Sequence, residues 1–235
     1  MKTVLYKANT RGHANHGWLD THHTFSFDDY YDPERMHFGV LRVLNDDIVE
    51  AGRGFGTHPH NNMEIISIPL YGDLQHRDSM GNGSVIRAGE VQVMSAGTGI
   101  THSEFNASAT EDLNFFQIWV FPNRKNVTPR YDQRKFDFET KNRLVQVVQP
   151  CPGGEGVGIY QEAWFHIGIF EKGYTFDYTL KSVENGLYVM IVEGEWEVEG
   201  QRLSRRDGFG LRNIDTVHFT ALSEHARILL MDVPM

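Results

Sequence analysis

Two His-centred pairs stand within residues 52–106 of this 235-residue chain: His58 with His60, and His102 with Glu104. In an extended strand alternate side chains share a face, so each pair aims both donors the same way. Two such pairs on neighbouring strands supply four ligands to one metal ion. Neutral imidazole together with carboxylate suits a divalent first-row metal such as iron, manganese, nickel, copper or zinc, and a six-fold sphere leaves room for water or substrate. A lone His-x-His among 12 histidines would carry little weight. Two pairs of like chemistry among glycine-rich turns carry much more.

The elements around these pairs read as strands. Gly52, Gly54 and Gly56 precede Thr57-His58-Pro59-His60 and the strand-like Glu64 to Ile68. No lysine followed by serine or threonine closes a phosphate loop and no helix begins here, so the glycines are expected to be sharp bends that bring backbone close to the metal. Short β-branched and aromatic runs recur at 24–27, 38–44, 70–74, 85–87, 91–94 and 115–120, separated by tight turns. This spacing predicts a small antiparallel barrel or jelly roll.

Residues 122–134, PNRKNVTPRYDQR, break the pattern and read as the passage between two halves. Strands are then expected at 143–148, 159–162, 163–170, 174–180, 186–192 and 228–233. Leu70 to Leu74 is echoed by Val192 to Trp196, and Arg87-Ala88-Gly89 by Arg206-Asp207-Gly208. Aligned without gaps from those glycines, His58, His60 and His102 fall on Leu180, Ser182 and Ala221. The second half should therefore be a duplicate that keeps the fold and lacks the site. His13, His16, His22, His23, His37, His218 and His225 are expected to be structural, although His22 or His23 could line a pocket.

Composition narrows the function. A net charge of −9 argues against broad contact with nucleic-acid phosphates or an anionic membrane. Cys151 is the single cysteine, so there is neither an intrachain disulfide nor a thiolate metal cluster, which fits a reducing compartment. The opening MKTVLYKANTRGH lacks the apolar run of a signal peptide, and no segment approaches the roughly 20 apolar residues of a membrane span. The expected location is the cytoplasm.

The spacing Gly52, His58-x-His60, Glu64 resembles the first cupin motif, and His102 with Asn106 resembles the end of the second. Ser95 or Ala96 stands near the proline expected in that second motif, and the gap before His102 is longer. With those departures, GTHPHNNMEI, MSAGTGITHSE and RGHANHGWLDTHHTFSF resemble the pirin family, especially its bacterial members, across nearly the whole chain.

That resemblance implies an all-β bicupin of two stacked cupin sandwiches, a metal-binding domain over 1–134 and a metal-free one over 135–235. It implies a site of His58, His60, His102 and Glu104 holding iron(II) foremost, with nickel, manganese, copper, cobalt or zinc as alternatives. The general cupin pattern would use Glu64 as the carboxylate; the pirin pattern uses Glu104. The activity implied is dioxygenation of a flavonol such as quercetin by O2 with release of carbon monoxide, Glu104 acting as general base. Phe25, Phe27, Phe55 and Trp119 are candidate pocket walls. A second reading, also met among pirins, is a regulatory protein whose metal is structural or redox-sensing and whose ligand is another protein.

Overall fold

Apart from one turn of 3-10 helix at Ala8–Thr10, every regular element is a strand. The computed structural model describes the whole chain, Met1–Met235. The first half contains β1 (Lys2–Tyr6), β2 (Gly12–Asn15), β3 (Leu19–His23), β4 (Leu41–Val49), β5 (Gly54–His60), β6 (Glu64–Tyr71), β7 (Asp73–Asp78), β8 (Gly83–Arg87), β9 (Glu90–Ser95), β10 (Ile100–Asn106), β11 (Leu113–Val120) and β12 (Arg130–Lys135). The second contains β13 (Val145–Pro150), β14 (Val157–Ile159), β15 (Trp164–Phe170), β16 (Thr175–Thr179), β17 (Asn185–Glu193), β18 (Glu195–Val198), β19 (Gln201–Ser204), β20 (Gly208–Arg212), β21 (Thr216–Ala221) and β22 (Ala226–Pro234).

Each half pairs a seven-stranded sheet with a four-stranded one. The first has the orders β12-β9-β6-β11-β4-β3-β2 and β5-β10-β7-β8; the second has β1-β20-β17-β22-β15-β13-β14 and β16-β21-β18-β19. The halves correspond over their central strands, down to a one-residue bulge shared by the β6–β11 and β17–β22 ladders, while the outermost pairs differ, β2–β3 being antiparallel and β13–β14 parallel. The edge positions differ in origin. β12 covers β9 within its own half, whereas β1 crosses over and pairs with β20.

The large sheets pack against each other. Strands β6 and β17 are buried along nearly their whole length, one face towards the interior of their own sandwich and the other towards the opposite half. A core of 25 buried residues joins the halves and includes Phe25, Ile66, Val93 and Phe116 on one side and Phe165, Tyr188, Met190 and Leu229 on the other. Asp46 is clamped in the same interface by Arg206 Nε at 2.9 Å, Arg11 Nη1 at 3.3 Å and Asn114 Nδ2 at 2.9 Å. Burial opposes its ionisation, but these three donors hold its pKa below the ordinary value.

Some boundaries differ from expectation. Residues 24–27 are not a strand: they bend away after β3, and the strand expected over 38–44 begins at Leu41. The passage at 122–134 already contains the start of β12. Gly54 and Gly56 lie inside β5, where the reason for Gly54 is close approach. A Cβ there would strike the backbone of Glu104 and Phe105 on the adjacent β10.

Candidate metal centre

Strands β5 and β10 lie side by side in the small sheet, and His102 is directly opposite His58. Along β10, Ile100, His102, Glu104 and Asn106 alternate inwards with more exposed residues between them. An extra residue in β5 between His58 and Phe55 shifts the register before Glu104. On the other side of β10, Glu104 is opposite His76 of β7.

The donor atoms of His58, His60 and His102 all lie within 4.8 Å of one another, as do those of His76, His102 and Glu104. His102 belongs to both groups and joins them. Ring centroids are 4.4 Å apart for His58 and His102, and 4.9 Å for His60 and His102. Glu64 is not in either group. It lies on the large sheet beside Ser95, whose hydroxyl donates to it at 2.6 Å. Its surroundings also include Tyr160 and Arg130, away from the histidines.

The protonation states suit ligation. His58 Nδ1 donates to the carbonyl of Gly56 at 2.8 Å, which leaves the Nε2 lone pair free. Burial and the adjacent His58 push His60 down to about 4; burial, with three imidazoles around it, pushes His102 down to about 2. Both rings are therefore neutral near pH 7. Both ring nitrogens of His102 are buried without any protein hydrogen-bond partner, an arrangement that is costly unless something else supplies one. The residues thus fit a metal site.

Glu104 is buried and held at both oxygens: Ser67 Oγ donates to Oε1 at 3.0 Å and Gln117 Nε2 to Oε2 at 2.6 Å. Burial outweighs these donors and raises its pKa to about 7. Ser67 and Gln117 belong to a polar row, Gln92-Ser67-Gln117-Asn45-His23, that crosses five adjacent strands at one level. Sequence reasoning overlooked His76, Ser67 and this role of Gln117. The available signals were His76 sharing parity with the apolar Leu74 and a lone glutamine inside the apolar run of β11.

A cavity of about 800 Å³ opens onto His58 and His60, with Met63, Ile100, Thr101 and Trp119 among its walls. That volume is in the range of small-molecule sites. Of the four expected aromatic walls, Trp119 lines it. Phe27 stands behind Trp119, edge-on at 5.3 Å. Phe55 packs on Trp18 in a separate apolar cluster. Phe25 belongs to the core between the halves, 5.7 Å from the Tyr188 ring, so it is not a pocket residue. His23 does line a smaller hollow, of about 230 Å³, with His13, His16 and Tyr30.

The registers also correct the gapless alignment. Positions equivalent to His58, His60, His76, His102 and Glu104 are Tyr178, Leu180, Val198, Val217 and Phe219, because the connecting loops of the second half differ in length. The second half has no ligand set at these positions.

Two stacked cupin sandwiches with a His/Glu cluster in only one of them define a bicupin. Residues 5–120 match the family described as Pirin, and residues 146–233 the one described as quercetinase C-terminal cupin domain. A curated relative from Escherichia coli K12, named quercetin 2,3-dioxygenase, is 44% identical over 230 residues and is covered, like this chain, to 98%. A Pseudomonas aeruginosa protein named putative quercetin 2,3-dioxygenase is 44% identical over 226 residues, covering 94% of this chain and 95% of its own. The crystal structure of the bacterial pirin YhhW from Escherichia coli in complex with nickel(II) matches with a TM-score of 0.94 and 42% identity, covering 99% of both chains. The chain belongs to the pirin family.

Proposed function

We propose that His58, His60, His102 and Glu104 hold one divalent metal, iron(II) foremost, and that the protein opens the heterocycle of a flavonol such as quercetin with O2 and releases carbon monoxide. The observation that carries this is the buried His102, with two unpartnered nitrogens where the two donor groups meet. The chain is an enzyme of the quercetin 2,3-dioxygenase type, the name its curated relatives carry. Nickel is the leading alternative metal, since a nickel(II) complex is known for a relative.

A divalent ion at this site supplies Lewis acidity, lowering the pKa of a hydroxyl bound to it. The protein's residues do the rest. Trp119, Met63 and Ile100 offer apolar walls to a planar aromatic substrate and displace water from it. Glu104 would hold the metal through its carboxylate and is the residue placed to take the proton of the flavonol 3-hydroxyl on a carboxylate oxygen. Ser67 and Gln117 fix the orientation of that carboxylate.

The reading assigns metal binding to residues 1–134 and a metal-free supporting role to 135–235. With a single cysteine and an acidic surface charge, it places the protein in the cytoplasm, without direct nucleic-acid or membrane contact. No helix is long and apolar enough to cross a membrane. The test is O2 uptake with quercetin by anaerobically iron-loaded protein, with headspace carbon monoxide recorded beside His102→Ala. Matched uptake and carbon monoxide, both lost in the variant, are expected. No uptake at full iron occupancy would overturn the proposal and favour a regulatory protein with a protein partner.

A further inference from the structure

Arg227, at the start of β22, lines a cavity of about 570 Å³ between the two halves. The other walls include Leu70 and Gly89 of the first half and Lys135, Phe136 and Phe138 of the connecting segment. The Arg227 guanidinium carries five N–H donors and makes neither a hydrogen bond nor an ion pair with the protein, and its buried Nε lacks any partner. Its only specific contact is the face of Phe138, 5.4 Å from the ring centroid. The side chain is partly buried, and only Nε is sealed from solvent, so the terminal Nη groups face the cavity with water as their sole partner.

The internal duplication explains how this vacancy in the charge pattern arose. The ladders make Arg227 the counterpart of Asn114, and Ile167 the counterpart of Asp46. At the Asn114 position, the cations Arg11 and Arg206 meet the buried carboxylate of Asp46. At the Arg227 position the cation is present and an isoleucine stands where the carboxylate would be. Nearby acids do not fill the gap. Glu193 is engaged by Arg205 at 2.7 Å and Arg206 at 3.4 Å, Asp137 by Arg143 at 3.2 Å, and the exposed Glu139 forms no ion pair. Glu139 and Glu193 attract the guanidinium only at longer range, and Arg206 repels it; none of them makes direct contact with it.

We propose that this cavity binds a small aromatic monocarboxylate, its carboxylate paired with Arg227 and its ring against Phe136 and Phe138. A guanidinium fork matches a planar carboxylate in bidentate fashion. The two phenylalanine rings lie nearly parallel, at 17° and 6.0 Å, and offer an aromatic wall. Lys135, exposed and without an ion pair, adds a weaker attraction at the rim. Asp137 and Glu139 at the same rim repel any anion, a dianion more strongly than a monocarboxylate. The site is independent of the metal centre.

The probe is 2-naphthoate, titrated calorimetrically into metal-free full-length protein, with 2-naphthol as the uncharged control. Binding is expected, at least tenfold weaker for 2-naphthol and for Arg227→Met, two- to fivefold weaker for Lys135→Ala, and unchanged in His102→Ala. Amide NMR shifts on the wild-type chain should cluster at Gly89, Phe136 and Phe138, a readout that holds even if Arg227→Met fails to fold. Absence of binding up to millimolar probe would overturn the proposal. So would shifts clustered at His58, His60 and Thr101, or binding lost in His102→Ala and retained in Arg227→Met.

Discussion

Around the carboxylate of Glu104 the first sandwich places Ser67 and Gln117; around Phe219, its counterpart, the second places Val189 and Leu230. All the second-half counterparts of the metal-centre residues belong to one apolar core of 17 buried residues. In the first sandwich the polar layer divides the interior into smaller apolar clusters of six and four residues. The same strand order thus supports two interiors. One is filled with hydrocarbon, each buried side chain contributing about 1.5–3 kcal/mol relative to exposure. The other gives up part of that burial for imidazoles and a carboxylate, and leans on the 25-residue core that it shares with its neighbour.

Exchanging residues between the interiors puts this comparison at risk. Phe219→Glu in the second half would bury a carboxyl with no Ser67 or Gln117 to receive it. A loss of about 3–5 kcal/mol in chemical denaturation is expected, and a loss below 1 kcal/mol would mean that the second interior is more tolerant than its packing suggests. Next in size, Glu104→Gln should lower metal affinity about 100-fold, while Glu64→Gln leaves it within a few-fold, extrapolating from the cost of altering groups around a metal. Equal losses in a chelator competition would return Glu64 to the ligand set. Gln117→Leu, which copies Leu230, should cost about tenfold in metal affinity by the same reasoning. Unchanged affinity would show that Glu104 does not need its amide donor.

The smallest effect concerns pH. Asp47, buried in the first interior with only the Thr21 hydroxyl as partner, has its pKa raised by burial from 3.8 to about 7. The folded chain therefore holds this proton where the unfolded chain has released it, so Asp47 removes stability as pH rises from about 4 to 7. His166 of the second half, pushed by burial from 6.5 down to about 4, acts oppositely: stability is lost as pH falls through that window. Between pH 6.5 and 7.5 the effect of Asp47 exceeds what remains of that offset. Metal-free Asp47→Asn should lose about 0.7 kcal/mol less than wild type over this interval; parallel melting curves would refute it.

Alternation and spacing made much of this legible: the β class, the duplication, both His-centred pairs and the lack of equivalent histidines in the second half were all readable along single strands. What was not legible depends on which strands lie side by side. His76 meets Glu104 only through the β7–β10 ladder, and nothing in Gln75-His76-Arg77 announces it. Phe25 was misplaced because residues 24–27 bend away after β3 instead of continuing as a strand, and the bend carries the ring into the core between the halves. The gapless alignment reached Leu180 but assigned it to the wrong histidine, since turns between corresponding strands differ in length while the ladders do not.

The crossing of β1 has a bearing on how the molecule comes into being. Its partner β20 begins at Gly208, so β1 waits for most of the other strands to be made before it can pair. Long-range pairing of this kind slows folding. Until it occurs, Leu5 and its neighbours have no sheet to join and β20 presents an open edge of the sort that recruits other chains. A second half expressed on its own from residue 135 would carry that open edge permanently and is expected to associate through it.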